Sequence, residues 1–384
     1  MIKCGVIGVG AAGNHAAISL IEAGVANISD VILLNSTLKD VPEKYKEIAI
    51  EFDSDSKGCA KERHLAQRIT MANLKSNKIG IDQFINEEYA FILICTSAEG
   101  GTGSGASITL AKYVSQALHK AVHLTVFAGF YTDSRGLKNT IDWFKETSPE
   151  WTVDCICNAN FLEENFGNER KAELAANNEF VQRVQILTGM NLIDSDNNID
   201  DVDLTKLVTT PGYQMIVHGD LGKIKNTDEF NKVVKKMIDE SKGFGATPSS
   251  IRMGVILNIS EKIGDSIDYS FGVLKACYGM PFEVFTHVQH NEAGNTIQIV
   301  ASGSKMPIDE INDIYNDFQD RNAKIDMAPD TFYNAQFDTA SDRFDMDRGG
   351  INPEQVAKDK AAFFGEESPT ENTGSFSGTR KIDM

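Results

Sequence analysis

The sequence predicts an α/β protein. A doubly wound, mostly parallel sheet forms a nucleotide-binding domain, followed by a long central helix, a second and smaller α/β domain, and a C-terminal helix and tail. Three observations carry this reading. Short apolar runs alternate with stretches of helical periodicity, which is the β-α-β pattern of a parallel sheet. Two of those runs end in glycine-rich turns that open a helix, where converging backbone N–H groups and the helix N-terminus attract phosphate. A chain of 384 residues also exceeds one ordinary core.

The first apolar run, Ile2 to Gly8, leads into Gly8-Val9-Gly10-Ala11-Ala12-Gly13-Asn14 and a helix from about His15 to Ala23. Taken alone this is G-x-G-x-x-G after a first strand, the fingerprint of an NAD-dependent oxidoreductase. Such an enzyme expects an acidic residue at the end of the second strand to hold a ribose hydroxyl. Val31 to Leu34 instead runs into Asn35-Ser36-Thr37. Nor does it need a second glycine loop, yet the run Phe91 to Cys95 is followed by Glu99-Gly100-Gly101-Thr102-Gly103-Ser104-Gly105 and a helical pattern from Ala106 to Leu118. Glycine lets backbone N–H groups converge on an anion. Two such loops at neighbouring strand ends fit a nucleotide with a longer phosphate chain.

Between the loops, residues 57–62 open a helix running through about Ala72, either as a cover for the terminal phosphate or as a surface connection. A strand from Leu124 to Phe130 precedes Thr132-Asp133-Ser134-Arg135 and a helix to about Lys145. The strand Val153 to Cys157 ends in Asn158-Ala159-Asn160, and the thiols of Cys155 and Cys157 are expected on opposite faces. Residues 1–168 thus make the nucleotide domain.

Residues 169–190 form the central helix, with Asn177 and Asn178 either as amides able to read a purine edge or as part of a solvated helix face. Next comes Asn198-Ile199-Asp200-Asp201-Val202-Asp203-Leu204. Aspartates at a helix start are ordinary caps and dipole partners, but Asp200 and Asp203 share a face of the first turn and together can orient a water. Residues 191–305 make the second domain, with strands at Tyr213 to Val217, Met253 to Ile259, Phe282 to Val288 and Thr296 to Ala301, and helices near 228–240 and 262–277. A C-terminal helix occupies 306–322. Residues 323–384, rich in Asp, Gly, Asn and Ser, read as a flexible acidic tail in which Phe363 and Phe364 are isolated apolar points.

The net charge of −18 argues against direct binding to nucleic acid or an anionic membrane, so a role on DNA requires a basic adaptor. No run of about 18 apolar residues and no signal-peptide pattern occur, and the protein is expected in the cytoplasm. The six cysteines lack metal-ligand spacing and read as small hydrophobes.

In their order, these motifs resemble the tubulin/FtsZ superfamily of polymerising GTPases over about residues 2–305. The family signature G-G-G-T-G-[S/T]-G stands here as Glu99 to Gly105, and Glu99 is its one departure, placing a carboxylate beside the phosphates. The FtsZ loop G-x-G-G-G-G-N stands as Gly8 to Asn14, and N-x-D-x-x-D as Asn198-x-Asp200-x-x-Asp203. Within the superfamily the chain is most similar to the TubZ family of plasmid and phage partition GTPases, clostridial phage members included; an FtsZ-like cell-division filament is the alternative.

The resemblance implies GTP and GDP bound by Gly10, Ala11, Ala12, Gly13 and Asn14 and by Gly100, Gly101, Thr102, Gly103 and Ser104, with Lys138 in the ribose loop. It implies guanine contacts from Asn158 and Asn178, where FtsZ has Asp at the second. It implies Mg²⁺ on the phosphates, largely through water, and dynamic filaments that segregate DNA. Asp200 and Asp203, with Asn198, would act on the GTP of the neighbouring subunit across a head-to-tail contact. Residues 323–384 would engage a DNA-binding, TubR-like adaptor.

Overall fold

The computed structural model describes residues 1–52, 58–190, 192, 199–245, 249–264, 266–268, 271–290, 294–321 and 353–365. The first half alternates strictly: β1 (Lys3–Val9), α1 (Gly10–Glu22), β2 (Val31–Asn35), β3 (Ala49–Glu51), α2 (Arg63–Lys75), α3 (Ile81–Phe84), β4 (Tyr89–Ser97), α4 (Thr102–Lys112), β5 (Val122–Ala128), α5 (Ser134–Glu146), β6 (Thr152–Cys157) and α6 (Asn158–Glu164). These strands pair in parallel in the order β3-β2-β1-β4-β5-β6. Because helices cover both faces, Phe91 to Cys95 of β4 are all fully buried, a continuous apolar run rather than an alternating one. Side chains of α1 pack on one face of the sheet with α7 (Glu169–Thr188), and those of α2, α4 and α5 pack on the other.

The second half comprises α8 (Asp201–Val208), β7 (Gly212–Asp220), α9 (Thr227–Asp239), β8 (Arg252–Ile259), α10 (Glu261–Gly264), α11 (Gly272–Tyr278), β9 (Glu283–His290), β10 (Thr296–Ser304), α12 (Ile308–Arg321) and α13 (Pro353–Phe363). Its strands do not form a separate sheet. They continue the first one as β6-β7-β10-β8-β9, giving ten strands in which only β10 is antiparallel to its neighbours. The seam is narrow, since β6 meets β7 only at Thr152↔Gly212 and Val153↔Tyr213.

A buried ion cluster reinforces that seam. Arg183 of α7 donates to Asp154 of β6 at 2.5 Å and to Glu179 at 2.7 Å, and Glu179 in turn lies 3.0 Å from His218 of β7. Arg183 and Asp154 are each 1% exposed, so the buried guanidinium charge is offset by its two carboxylates, and it also donates to the Cys155 carbonyl at 3.1 Å.

Several expectations need correcting. The helix expected from Ala106 begins at Thr102, because the second half of the glycine loop is itself the first turn of α4, and its last turn, Tyr113–Ala117, is a π-helix. The single helix expected over 262–277 is two short ones, since Gly264 and Ser266 favour a turn over continued helix. The acidic tail is not featureless: α13 lies within it, and Phe363 and Phe364 pack on Tyr113 at ring distances of 5.4 and 5.7 Å. Cys155 and Cys157 both border the same core cluster rather than facing opposite sides, because residues two apart on a strand share a face. No helix among the described residues is long and apolar enough to cross a membrane.

Candidate functional site

The strand order reverses between β1 and β4, and their helices depart to opposite faces of the sheet. That opens a crevice at the carboxyl ends of the strands, the place where open α/β sheets bind ligands. Both glycine loops lie there. Gly10, at φ +75°, follows β1 as the first residue of α1, and a Cβ on it would come within 3.0 Å of the Gly103 backbone nitrogen. A Cβ on Gly103 would meet Thr96 Oγ1 at 2.6 Å and the Val9 carbonyl at 3.1 Å. The two loops are therefore packed backbone against backbone. Gly13 is tighter still, its hypothetical Cβ falling 2.1 Å from the Cys95 carbonyl, so α1 can start only this close to β4 with glycine at that position. Around Gly100 a Cβ would meet nothing within 4 Å, which leaves its backbone open to the crevice.

Ala11 and Ala12 are exposed in the first turn of α1, whereas Asn14 is 2% exposed and neither its Nδ2 nor its Oδ1 has a hydrogen-bond partner among the described residues. A buried amide with both ends unpaired is costly. It leaves an unsatisfied polar side chain buried beside the first glycine loop. Thr102 Oγ1 lies 2.9 Å from Ser36 Oγ at the end of β2, and the buried Ser104 hydroxyl donates back to the Gly100 carbonyl. Asn35, where a dinucleotide enzyme would carry an acid, is 4% exposed, and its Oδ1 accepts from the Ser36 N–H at 2.9 Å.

Three further segments close on the loops. Residues 58–62 lead into α2, and backbone atoms of Lys61 and Glu62 sit where a Cβ on Gly101 would fall, at 2.6 and 2.7 Å. Lys61 is ion-paired with Asp133 and Glu62 with Arg135, which joins this segment to the head of α5. Arg63, 4% exposed, donates to the Ser104 carbonyl at 3.3 Å and pairs with Glu146 at 3.2 Å. Asn139 Nδ2 donates to the carbonyls of Glu99 (2.9 Å) and Lys61 (3.2 Å). No sequence signal marks Asn139 or Arg63, because a buried amide and a buried guanidinium look like surface residues until their neighbours are known.

Glu99 has a place that the sequence did not suggest. Its carboxylate does not stand free beside the loop: Oε1 accepts from the N–H groups of Gly129 and Phe130, and Oε2 from that of Tyr131, all at 2.9 Å. Burial pushes the carboxyl pKa up and the three N–H donors pull it back, leaving it raised.

Asn158 is buried at the first position of α6; Asn178 is exposed at mid-length on α7, which packs against α6. Lys138 is turned along α5 to Asp142, so the ion pairs that join the loops come from Asp133 and Arg135. Among the described residues no group of three His, Cys, Asp or Glu side chains could hold a metal ion.

Among solved structures, the chain is similar to a GTPγS-form protofilament of Bacillus thuringiensis serovar israelensis TubZ, at 19% identity and a TM-score of 0.71 over 84% of this chain and 93% of that one. It is also similar to tail-truncated Clostridium botulinum phage c-st TubZ, at 18% identity and 0.65 over 83% and 97%. A third likeness is to an empty M. jannaschii FtsZ dimer, at 15% identity and 0.59 over 79% and 88%. The chain has the tubulin/FtsZ fold. No protein-family model and no curated protein matches the sequence.

On this tubulin/FtsZ fold the acidic pair stands far from the glycine loops. The Asp200 side chain caps α8, accepting from the Asp203 N–H at 2.7 Å, and Asp201 pairs with the amino group of Met1 at 2.6 Å. The Ile2 N–H donates to the Thr188 carbonyl at the end of α7. The acids therefore lie at the amino end of β1 and the glycine loops at its carboxyl end, roughly 20 Å apart at the rise of a strand. Asn198 lies outside the described residues.

Proposed function

We propose that this chain is a filament-forming GTPase that binds GTP in the crevice between β1 and β4 and hydrolyses it across a head-to-tail contact with the next subunit. The observation that carries the proposal is the separation itself. The crevice has glycine loops and an unpaired Asn14, but the acidic pair belongs to the other end of the sheet. No single subunit can bring Asp200 and Asp203 to its own loops. A second copy stacked on the crevice would do so, and repeating that contact gives an open filament.

In this reading Gly10 to Asn14 and Gly100 to Ser104 hold the phosphates, while the 58–62 segment and Asp133, joined by their ion pairs, close the side. Asn158 and Asn178 face the base, with Lys138 toward the ribose. Asp200 and Asp203 of the next subunit, assisted by Asn198, orient the attacking water. Phosphoryl transfer asks for positioning and charge stabilisation more than for a strong base, which suits a pair of carboxylates brought in by assembly. Mg²⁺ would rest on the phosphates and water. The solved TubZ in a GTPγS-form protofilament supports the nucleotide and the filament. A role in segregating plasmid or phage DNA, with a TubR-like DNA-binding adaptor engaged by residues 323–384, rests on the resemblance to TubZ and on the net charge of −18, which disfavours direct DNA contact.

The test is sedimentation and phosphate release with purified protein, with GTP, GTPγS and NAD(H) compared. GTP-dependent pelleting with phosphate release that rises with protein concentration is expected. Tight NAD(H) binding without GTP binding would overturn the reading.

A further inference from the structure

The N–H groups of Gly129, Phe130 and Tyr131 point at one place, and that place is filled from within the chain. Such convergence of successive N–H groups forms a concave anion site, helped here by left-handed backbone at Gly129 (φ +113°) and Tyr131 (φ +42°). Its occupant is the Glu99 carboxylate, with all three contacts at 2.9 Å. A Cβ on Gly136, in the first turn of α5, would lie 3.5 Å from Glu99 Oε2, so the carboxylate also faces the positive end of a 13-residue helix.

The consequences reach both neighbouring segments. The loop held by Glu99 ends at Asp133, which caps α5 by accepting from the Gly136 N–H at 2.8 Å and pairs with Lys61 of the 58–62 segment. At its other end, Glu99 begins the glycine loop, and its carbonyl is held by Asn139 at 2.9 Å. The Glu99 side chain thus joins the 99–105 and 129–133 segments, and Asp133 and Asn139 link both to 58–62, making a single rim.

We propose that Glu99 is a built-in anion that closes the nucleotide crevice from within: a positioning residue for GTP that does not touch the reacting atoms. This rests on the GTP reading above. A glycine at position 99 would leave the three N–H groups empty and the 129–133 loop joined to the 99–105 loop indirectly, through the Asp133–Lys61 pair and the Asn139 contacts to Glu99 and Lys61. The charge-assisted hydrogen bonds are the strong kind, and losing them while exposing buried donors is worth about tenfold in affinity.

The experiment compares the full chain with its Glu99→Gln and Glu99→Gly variants by amide hydrogen exchange and by steady-state GTP turnover. Glutamine can accept from Gly129 and Phe130 but presents an NH₂ to Tyr131, so it should lose protection chiefly at Tyr131. Glycine should lose it at all three. KM for GTP should rise about tenfold in the glycine variant, with a smaller change in kcat once filaments are saturated. Acetate at high concentration should restore protection and lower KM in Glu99→Gly while leaving the parent unchanged, which a variant that merely misfolds would not show. Retained protection at 129–131 overturns the clamp. Lost protection with an unchanged KM, or no response to acetate, overturns the positioning role. A parent chain that binds no GTP sinks the nucleotide reading and the positioning role with it, while exchange at 129–131 still decides the clamp.

Discussion

Asp200 illustrates how one side chain can carry two roles that a single substitution would confuse. Its carboxylate caps α8, so Asp200→Ala removes a cap worth about 1 kcal/mol as well as the proposed catalytic charge. Asp200→Asn keeps a cap acceptor and removes only the charge. We expect Asp200→Asn to melt within about 0.5 kcal/mol of the parent, to assemble with GTP, and to release phosphate at least tenfold more slowly; normal phosphate release would reject the catalytic role. His123 gives a second residue-level prediction. It is 1% exposed on β5, with its ring 5.8 Å from that of Phe91, and burial lowers its pKa to about 3. The folded ring therefore stays neutral where the unfolded one protonates, so stability falls as the pH drops below 6.5 and goes on falling toward 3. Between pH 6.5 and 4.5 the loss from this residue is about 2–3 kcal/mol. Urea melts of the parent and of His123→Phe should diverge by that amount, with the variant the less acid-sensitive.

At the level of elements, the glycine loops and the strands that carry them were legible because their signal is local. Gly10, Gly13 and Gly103 stand where a Cβ would strike a neighbouring backbone or side chain, and apolar runs such as Phe91 to Cys95 mark a strand covered on both faces. The helix α13 was not legible. Among its described side chains the apolar contacts are made by Phe363 and, just past its end, Phe364, and its partners are remote: Tyr113, Asp82 with Lys360 at 2.6 Å, and His119 with Asp359. Exposed ion pairs add little, so the rings should dominate the docking. Replacing Phe363 and Phe364 together by alanine is expected to cost about 1–3 kcal/mol in thermal melts. An unchanged melting temperature would mean that α13 contributes nothing to the stability of the folded core.

For the whole molecule, a net charge of −18 on every subunit means that the proposed filaments would assemble against mutual repulsion. Raising monovalent salt from about 0.05 to 0.2 M shortens the screening length by about half. The critical concentration for GTP-dependent pelleting should then fall, whereas a rise would show that attractive ion pairs dominate the contact.

The sequence by itself determined the class of fold, the two glycine loops, the long helix and the presence of an acidic pair, because each follows from short-range periodicity or from residues adjacent in the chain. Only the tertiary structure decided that the acids and the loops lie at opposite ends of β1, that the second set of strands extends the first sheet, and that Glu99 fills a pocket of N–H groups thirty residues away. Those facts depend on strand direction and on contacts between distant segments. Glutamate at the head of a glycine loop looks like an intruder beside the phosphates until the loop it binds is in view.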